Sequence, residues 1–287
     1  MIDLKKKLAR EAASKAMQVR ALYKRSLIDP ICPFDLALDM KIELRFQSLP
    51  SLEGMYTPTP RSAIVIGSER PAPRQAYTCA HEIGHHAFGH GTKIDELQDV
   101  GIITKPFDPE EFLAQTFAGF LLMPKMAIDR ALKDRGFTTQ SAKATDYYQL
   151  ACFFGVGYTS FIRHLTYSLR ILPQIIADPL LKEPLSDIRS RFESPDITKS
   201  LLVVDLRWKE KTVDLEVGDL LLAPRGTTNE GTSLLIGKET NNGIYFEALK
   251  QGNDRLSAGA WSCFARIRPK KFEGRAIYRH FPEVADE

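Results

Sequence analysis

The 287-residue chain is poor in cysteine: Cys32, Cys79, Cys152 and Cys263 lie far apart, and no Cys-x-x-Cys pair occurs. That excludes a disulfide framework and a cysteine-based structural zinc knuckle. Long apolar runs are missing too. No stretch approaches the roughly 20 apolar residues that cross a bilayer, and the Lys/Arg-rich start has no unbroken apolar segment of a signal peptide. A cytoplasmic location is expected. Charge of one sign is not in excess, with 39 Lys and Arg against 36 Asp and Glu, so the net charge of +3 gives little support to nucleic-acid binding by the whole chain. Hydrophobic residues make up 44% and charged residues 26%, an ordinary globular balance. At this length two or three units are expected, each able to bury a core.

What is present begins with residues 81–90, His-Glu-Ile-Gly-His-His-Ala-Phe-Gly-His. On a helix, residues four apart share one face about a turn above each other. His81 and His85 can therefore grip one ion from a single rigid element, and imidazole is a good zinc ligand. Glu82 stands about 100° further round, beside the metal, where it can act as general base on a water. Cys79 and Ile83 fall on the opposite side, so Cys79 reads as a small core residue. Gly89 suits the end of the helix. The longer metzincin pattern needs Gly three and His six residues after the second His. Those positions hold Phe88 and Gly91, so the third ligand must come from elsewhere.

An open catalytic zinc site wants three protein ligands, His-His-Glu being a common set. Residues 108–123 read as a second helix with Asp108 as N-cap, Pro109 in the first turn and Glu111 at the third helical position. Glu111, Ala114, Ala118, Leu121 and Leu122 form one stripe. A carboxylate heading such a stripe is costly to bury without a cation. Glu111 is the expected third ligand; the alternatives are that it completes a capping box, or that Glu110, facing Leu113 and Phe117, takes the role.

His81-Glu82-Ile83-Gly84-His85-His86, followed by Glu111-x-x-Ala114-x-x-Phe117-Ala118-x-x-Leu121-Leu122-Met123-Pro124, resembles the ImmA/IrrE metallopeptidase family over roughly residues 5–170. The chain departs from the family pattern at Gln115, where Asn is usual, and at Leu113, where another Glu is frequent. The resemblance implies a cytoplasmic bacterial or phage-borne protease with a small gluzincin-like domain. It also implies a narrow substrate, a helix-turn-helix repressor inactivated by a single cut.

The rest of the chain is read around this motif. Leu4, Leu8, Ala12, Ala16 and Val19 mark a first helix to about residue 27, with Lys5, Lys6, Lys7 and Arg10 as its solvated face. Three extended runs at 41–47, 54–57 and 62–67 form a small sheet, whose last strand is expected at the edge where an extended substrate pairs. Residues 125–172 are helical. Ala151 to Val156, then Phe161, Ile162 and Leu165, fit a helix-turn-helix pattern, read as scaffold or substrate-docking surface, with DNA reading by a helix from Thr159 as the alternative. Cys152 and His164 are expected to be packed there. Prolines at 173, 179, 184 and 195 mark a connector. Strand-like runs at 201–206, 220–223, 233–236, 244–249 and 261–267 follow, separated by turn clusters at 225–229, 241–243 and 251–254. The expected fold class is α+β: a gluzincin-like metallopeptidase domain (1–128), a helical helix-turn-helix-like extension and linker (129–195), and a small antiparallel β-rich C-terminal domain (196–287) with a regulatory role.

Within that last unit, Arg266, Arg268, Lys270, Lys271, Arg275 and Arg279 alternate with Phe264, Phe272 and Tyr278. Cations for phosphates and aromatic faces for bases would suit single-stranded DNA as an activator. That reading is set against a solvated strand edge carrying Lys and Arg, which the segment favours. The expected function is a zinc endopeptidase, with manganese as another possible ion: His81, His85 and Glu111 bind the metal and Glu82 is the base. Tyr56, Tyr77, His86 and His90 are candidates for assisting the oxyanion. The rival is a DNA-binding regulator with a non-catalytic peptidase fold.

Overall fold

A computed structural model describes residues 2–96 and 106–281. The expected first helix is α1 (Ile2–Leu22), which buries Leu8, Ala12, Ala16 and Val19 while Leu4 is left exposed. After α2 (Pro33–Asp39) come β1 (Glu43–Gln47), β2 (Leu52–Thr57) and β3 (Ala63–Gly67), then the motif helix α3 (Ala72–Phe88), β4 (Lys93–Glu96) and α4 (Pro109–Leu122). Helices α5 (Lys125–Asp134), α6 (Ala144–Phe154), α7 (Tyr158–Arg163), α8 (Gln174–Lys182) and α9 (Leu185–Ser190) follow. A three-residue turn with Gly155 at φ 65° joins α6 to α7. No helix among the described residues is long and apolar enough to cross a membrane. The architecture is mixed, with helices and separate sheets, as an α+β chain requires.

Small residues set how closely the central helices approach. The ring-free faces of α1, at Ala12 and Ala16, and of α4, at Ala114 and Ala118, are all fully buried, and α1 and α3 both pack on α4. Between α3 and α4 the approach is tighter still: a Cβ on Gly84 would lie 3.0 Å from Ala114 Cα and 3.1 Å from Phe117. A buried cation closes the other end of this stack. Arg20, with no exposed surface, donates to the carbonyl oxygens of Leu121, Leu122, Ser26 and Asp29. It thus caps the otherwise unpaired carbonyls at the end of α4.

The N-terminal sheet departs from the expected layout. Its order is β13-β1-β3-β2-β4, where β13 is Gly274–Arg275. Strand β3 is therefore interior, paired parallel to β1 and antiparallel to β2, and not the edge. The edge beside β2 is taken by β4, and the opposite edge by a strand from the C-terminal end of the chain.

That C-terminal part holds two further four-stranded sheets. One is ordered β5 (Leu201–Val203), β7 (Leu220–Ala223), β10 (Gly243–Ala248), β9 (Leu234–Thr240). The other is ordered β6 (Thr212–Glu216), β12 (Trp261–Arg268), β11 (Gly252–Ala258), β8 (Thr228–Glu230). Neither is purely antiparallel, because β5 runs parallel to β7 and β6 parallel to β12. Strands β6, β8 and β11 were not anticipated. Parts of β8 and β11 lie in segments whose polar composition reads as turn, and pairing of β11 with β12 and of β8 with β11 overrides that local preference.

Candidate metal centre

Helix α3 buries His81, Glu82 and His85 against the sheet and α4. It ends as expected at Gly89, in the left-handed conformation at φ 69°. The two imidazoles face each other, Nε2 to Nε2, at 3.0 Å. Helix α4 starts at the N-cap Asp108, whose carboxylate accepts from the backbone N–H groups of Glu110 and Glu111. The Glu111 side chain does not complete a capping box. Its carboxylate turns to the imidazoles, 3.3 Å from His81 Nε2 and 3.5 Å from His85 Nε2. Glu110 points elsewhere, bridging to Lys93 at 2.7 Å. The close packing at Gly84 and Ala114 is what lets the head of α4 reach α3.

A fourth donor was not foreseen. Asp95, on β4, places Oδ2 3.1 Å from His81 Nε2. Donor atoms of His81, His85, Asp95 and Glu111 all lie within 4.8 Å of one another. Zinc bonds of about 2.0–2.2 Å in a tetrahedron put ligand atoms roughly 3.3–3.6 Å apart, close to the separations seen. Two imidazoles and two carboxylates are also a chemically apt donor set for zinc or manganese. The residues fit the ion.

Electrostatics tell the same story. Burial pulls the His81 imidazole down, but hydrogen bonds to Asp95 and Glu111 outweigh it and lift its pKa to about 10. The same bonds from His81 and His85 hold the Glu111 carboxyl well below the usual carboxylate range. A proton on His81 offsets only part of the charge of Asp95 and Glu111, and a divalent metal ion answers the same demand more fully. Glu82 differs. It is fully buried, neither oxygen has a hydrogen-bond partner among the described residues, and burial, with Asp95 adding, pushes its carboxyl well above the ordinary range.

His90 lies at the back of the site. Its Nδ1 is 2.8 Å from His85 Nδ1, which orients His85 so that Nε2 faces the other donors. His86 meets the Tyr56 hydroxyl at 3.1 Å, and the Tyr77 hydroxyl donates to the Gln115 carbonyl oxygen at 3.1 Å. Of the four oxyanion candidates only Tyr77 lines the cleft that reaches the donors. Cys79 is fully buried and away from the donor set. Cys152 packs near the Leu201 carbonyl, and buried His164 bonds the Met123 carbonyl oxygen at 2.9 Å, its pKa lowered to about 4 by burial.

The basic C-terminal segment is not the open row of cations its sequence suggests. Arg266 is ion-paired to Asp214 at 2.6 Å and to Asp35 of α2 at 3.0 Å. Arg268 is buried, paired to Glu216 at 2.7 Å and donating to Gln75 on α3. Both guanidinium groups are thus used within the protein, holding the C-terminal sheets to α2 and α3. Lys270, Lys271 and Arg275 are exposed. A cleft of about 2110 Å³ runs between the two parts, from His81, Asp95 and Glu111 past Tyr77, Arg163 and Tyr167 to Asp214 and Arg266.

Residues 37–166 match the family described as the IrrE N-terminal-like domain, Peptidase_M78. That stretch carries every donor named above, and in it the chain is similar to the ImmA/IrrE family of metallopeptidases. No curated protein matches the chain.

Proposed function

We propose that this protein is a zinc-dependent endopeptidase with a gluzincin-like site that inactivates a helix-turn-helix repressor by cleavage. The observation that carries the reading is the convergence of His81, His85 and Glu111 beside a buried, unpartnered Glu82. The first three would hold the ion. When bound, the metal supplies Lewis acidity toward the scissile carbonyl and acidifies water. Glu82 takes the proton from the attacking water and hands it to the departing amine. Burial, which raises its proton affinity, favours the first of these transfers. Tyr77 alone of the four oxyanion candidates lines the cleft, and its hydroxyl, which donates to the Gln115 carbonyl oxygen, would have to leave that bond to serve an oxyanion.

Narrow specificity is supported by the cleft. Exposed Arg163 and Tyr167 line the same space as the donors, which suits docking of a protein substrate against α7. The same placement turns these side chains toward the cleft and weakens the case for α7 as a DNA-reading helix. A complete donor set with its base weighs against a non-catalytic fold. As activator in a stress response we propose single-stranded DNA at the exposed Lys270, Lys271 and Tyr278, a smaller contact than the sequence suggests.

Glu82→Gln tests the chemistry. It should keep the bound zinc and lower cleavage of the cognate helix-turn-helix repressor by about 10²–10⁴-fold. Cleavage near the wild-type rate would refute the assigned base. Adding a single-stranded oligonucleotide to wild type and to Lys270→Ala/Lys271→Ala tests the activator; no stimulation of wild type removes it.

A further inference from the structure

An open hydrolytic centre leaves a fourth position for solvent or substrate beside three protein ligands. Here Asp95 would take that position. It lies on the donor side of His81 and not behind it: the Nε2 atom that faces Asp95 at 3.1 Å also faces His85 and Glu111. The Nδ1 atom of the same ring has no partner among the described residues. A carboxylate that only oriented His81 would sit at Nδ1. Asp95 instead shares the pole of the other three donors, all four within 4.8 Å.

The strand carrying Asp95 fills a second position that catalysis needs. Strand β4 runs antiparallel along β2, with Asp95 opposite Gly54 and Ile94 opposite Met55. Gly54 lies against α3, where a Cβ would come within 2.9 Å of Glu82 Oε1. The free side of β2 is therefore the sheet edge nearest the base, the place where an extended peptide would add as a strand. Four residues of the chain itself, Lys93–Glu96, take it. The geometry points to a resting state in which β4 lies in the substrate's place and Asp95 completes the ligand shell, so that β4 must be displaced before a peptide is cut. The inference rests on the metallopeptidase reading above and names its control. The seal is short enough to open: β4 has four residues, Ile94 is 57% exposed, and a side-chain tie to α4 is Lys93 to Glu110 at 2.7 Å.

The test uses the zinc-loaded full chain as wild type, Asp95→Asn and Asp95→Ala, with acetohydroxamate as probe for a vacant ligand position. Both variants should retain one zinc per chain and bind the probe at least tenfold more tightly than wild type, because no carboxylate has to be displaced. Cobalt-loaded Asp95→Ala should show an altered visible absorption band as solvent replaces the carboxylate. Equal probe affinity in all three proteins would overturn the closed resting state. Loss of zinc from the variants alone would make Asp95 an indispensable ligand and overturn displacement. A wild type that binds no zinc at all would overturn the metallopeptidase reading instead.

Discussion

Glu110 and Glu111 carry the same side chain on adjacent residues, and the helix turns them about 100° apart. Glu111 falls on the face with Ala114 and Ala118 and meets the imidazoles, while Glu110 reaches Lys93. Glu111→Ala should therefore lose most of the bound metal and Glu110→Ala almost none; metal content of the purified variants decides it. Equal retention would move the ligand assignment. His90 is the other instructive residue. It fails the metzincin register as a ligand, yet it meets His85 from behind. Removing such an orienting partner typically costs about 10–100-fold in metal affinity. His90→Phe, which preserves stacking on Phe88, should show a loss of that size in a zinc competition titration, and an unchanged affinity would deny it the orienting role.

At the scale of elements, the centre depends on how closely α3 and α4 approach. Gly84 is an unspecified position of the five-residue motif, but Ala114 Cα stands 3.0 Å from where its Cβ would be. Gly84→Val inserts three carbons into that contact. Overpacking of this kind costs about 1–3 kcal/mol, and moving α4 outward also withdraws Glu111. The expected outcome is a lower thermal midpoint together with a disproportionate loss of zinc. A variant that is destabilised yet holds zinc as wild type does would mean that Glu111 is not positioned by this contact. Helix α4 also shows why its own end is secure: buried Arg20, far away in sequence, satisfies its last carbonyls.

Across the whole molecule, the C-terminal part is fastened to the peptidase part. Strand β13 extends the peptidase sheet at β1, Arg268 reaches Gln75 on the motif helix, and Arg266 and Arg279 both meet Asp35. Removing one partner from a buried pair such as Arg268–Glu216 leaves an uncompensated charge, so these arginines are structural before they are anything else. The same corner holds Asp219, whose pKa burial raises to about 7, with the charge of Glu216 adding and a backbone hydrogen bond opposing. A raised acid favours the folded state when protonated. Its contribution is complete below the unfolded value near 3.9 and is lost as pH rises through about 7. The slope is at most about 1.4 kcal/mol per pH unit. Asp219→Asn should flatten the fall in urea midpoint between pH 5 and pH 8; an unchanged pH profile would show that Asp219 is already ionised.

Three of the four residues that converge, and Glu82 beside them, were legible in the sequence because their relation is local. Four-residue spacing puts His81 and His85 on one face, and a cap followed by a stripe of alanines marks the buried side of α4 at Glu111. Asp95 was not legible. Lys93-Ile94-Asp95-Glu96 is a short polar segment with no periodicity to tie it to a helix, and only its pairing with β2 brings it to the metal site. The interior place of β3 and the two parallel strand pairs of the C-terminal sheets are likewise matters of which strands meet. On β12, Phe264, Arg266 and Arg268 share one face that passes from exposed to half-buried to buried as the strand runs into the peptidase part. Alternating Arg and Phe reads the same in a solvated edge and in an interface. Spacing along the chain settles where atoms stand on one element, but packing and pairing between distant segments decide what those atoms face.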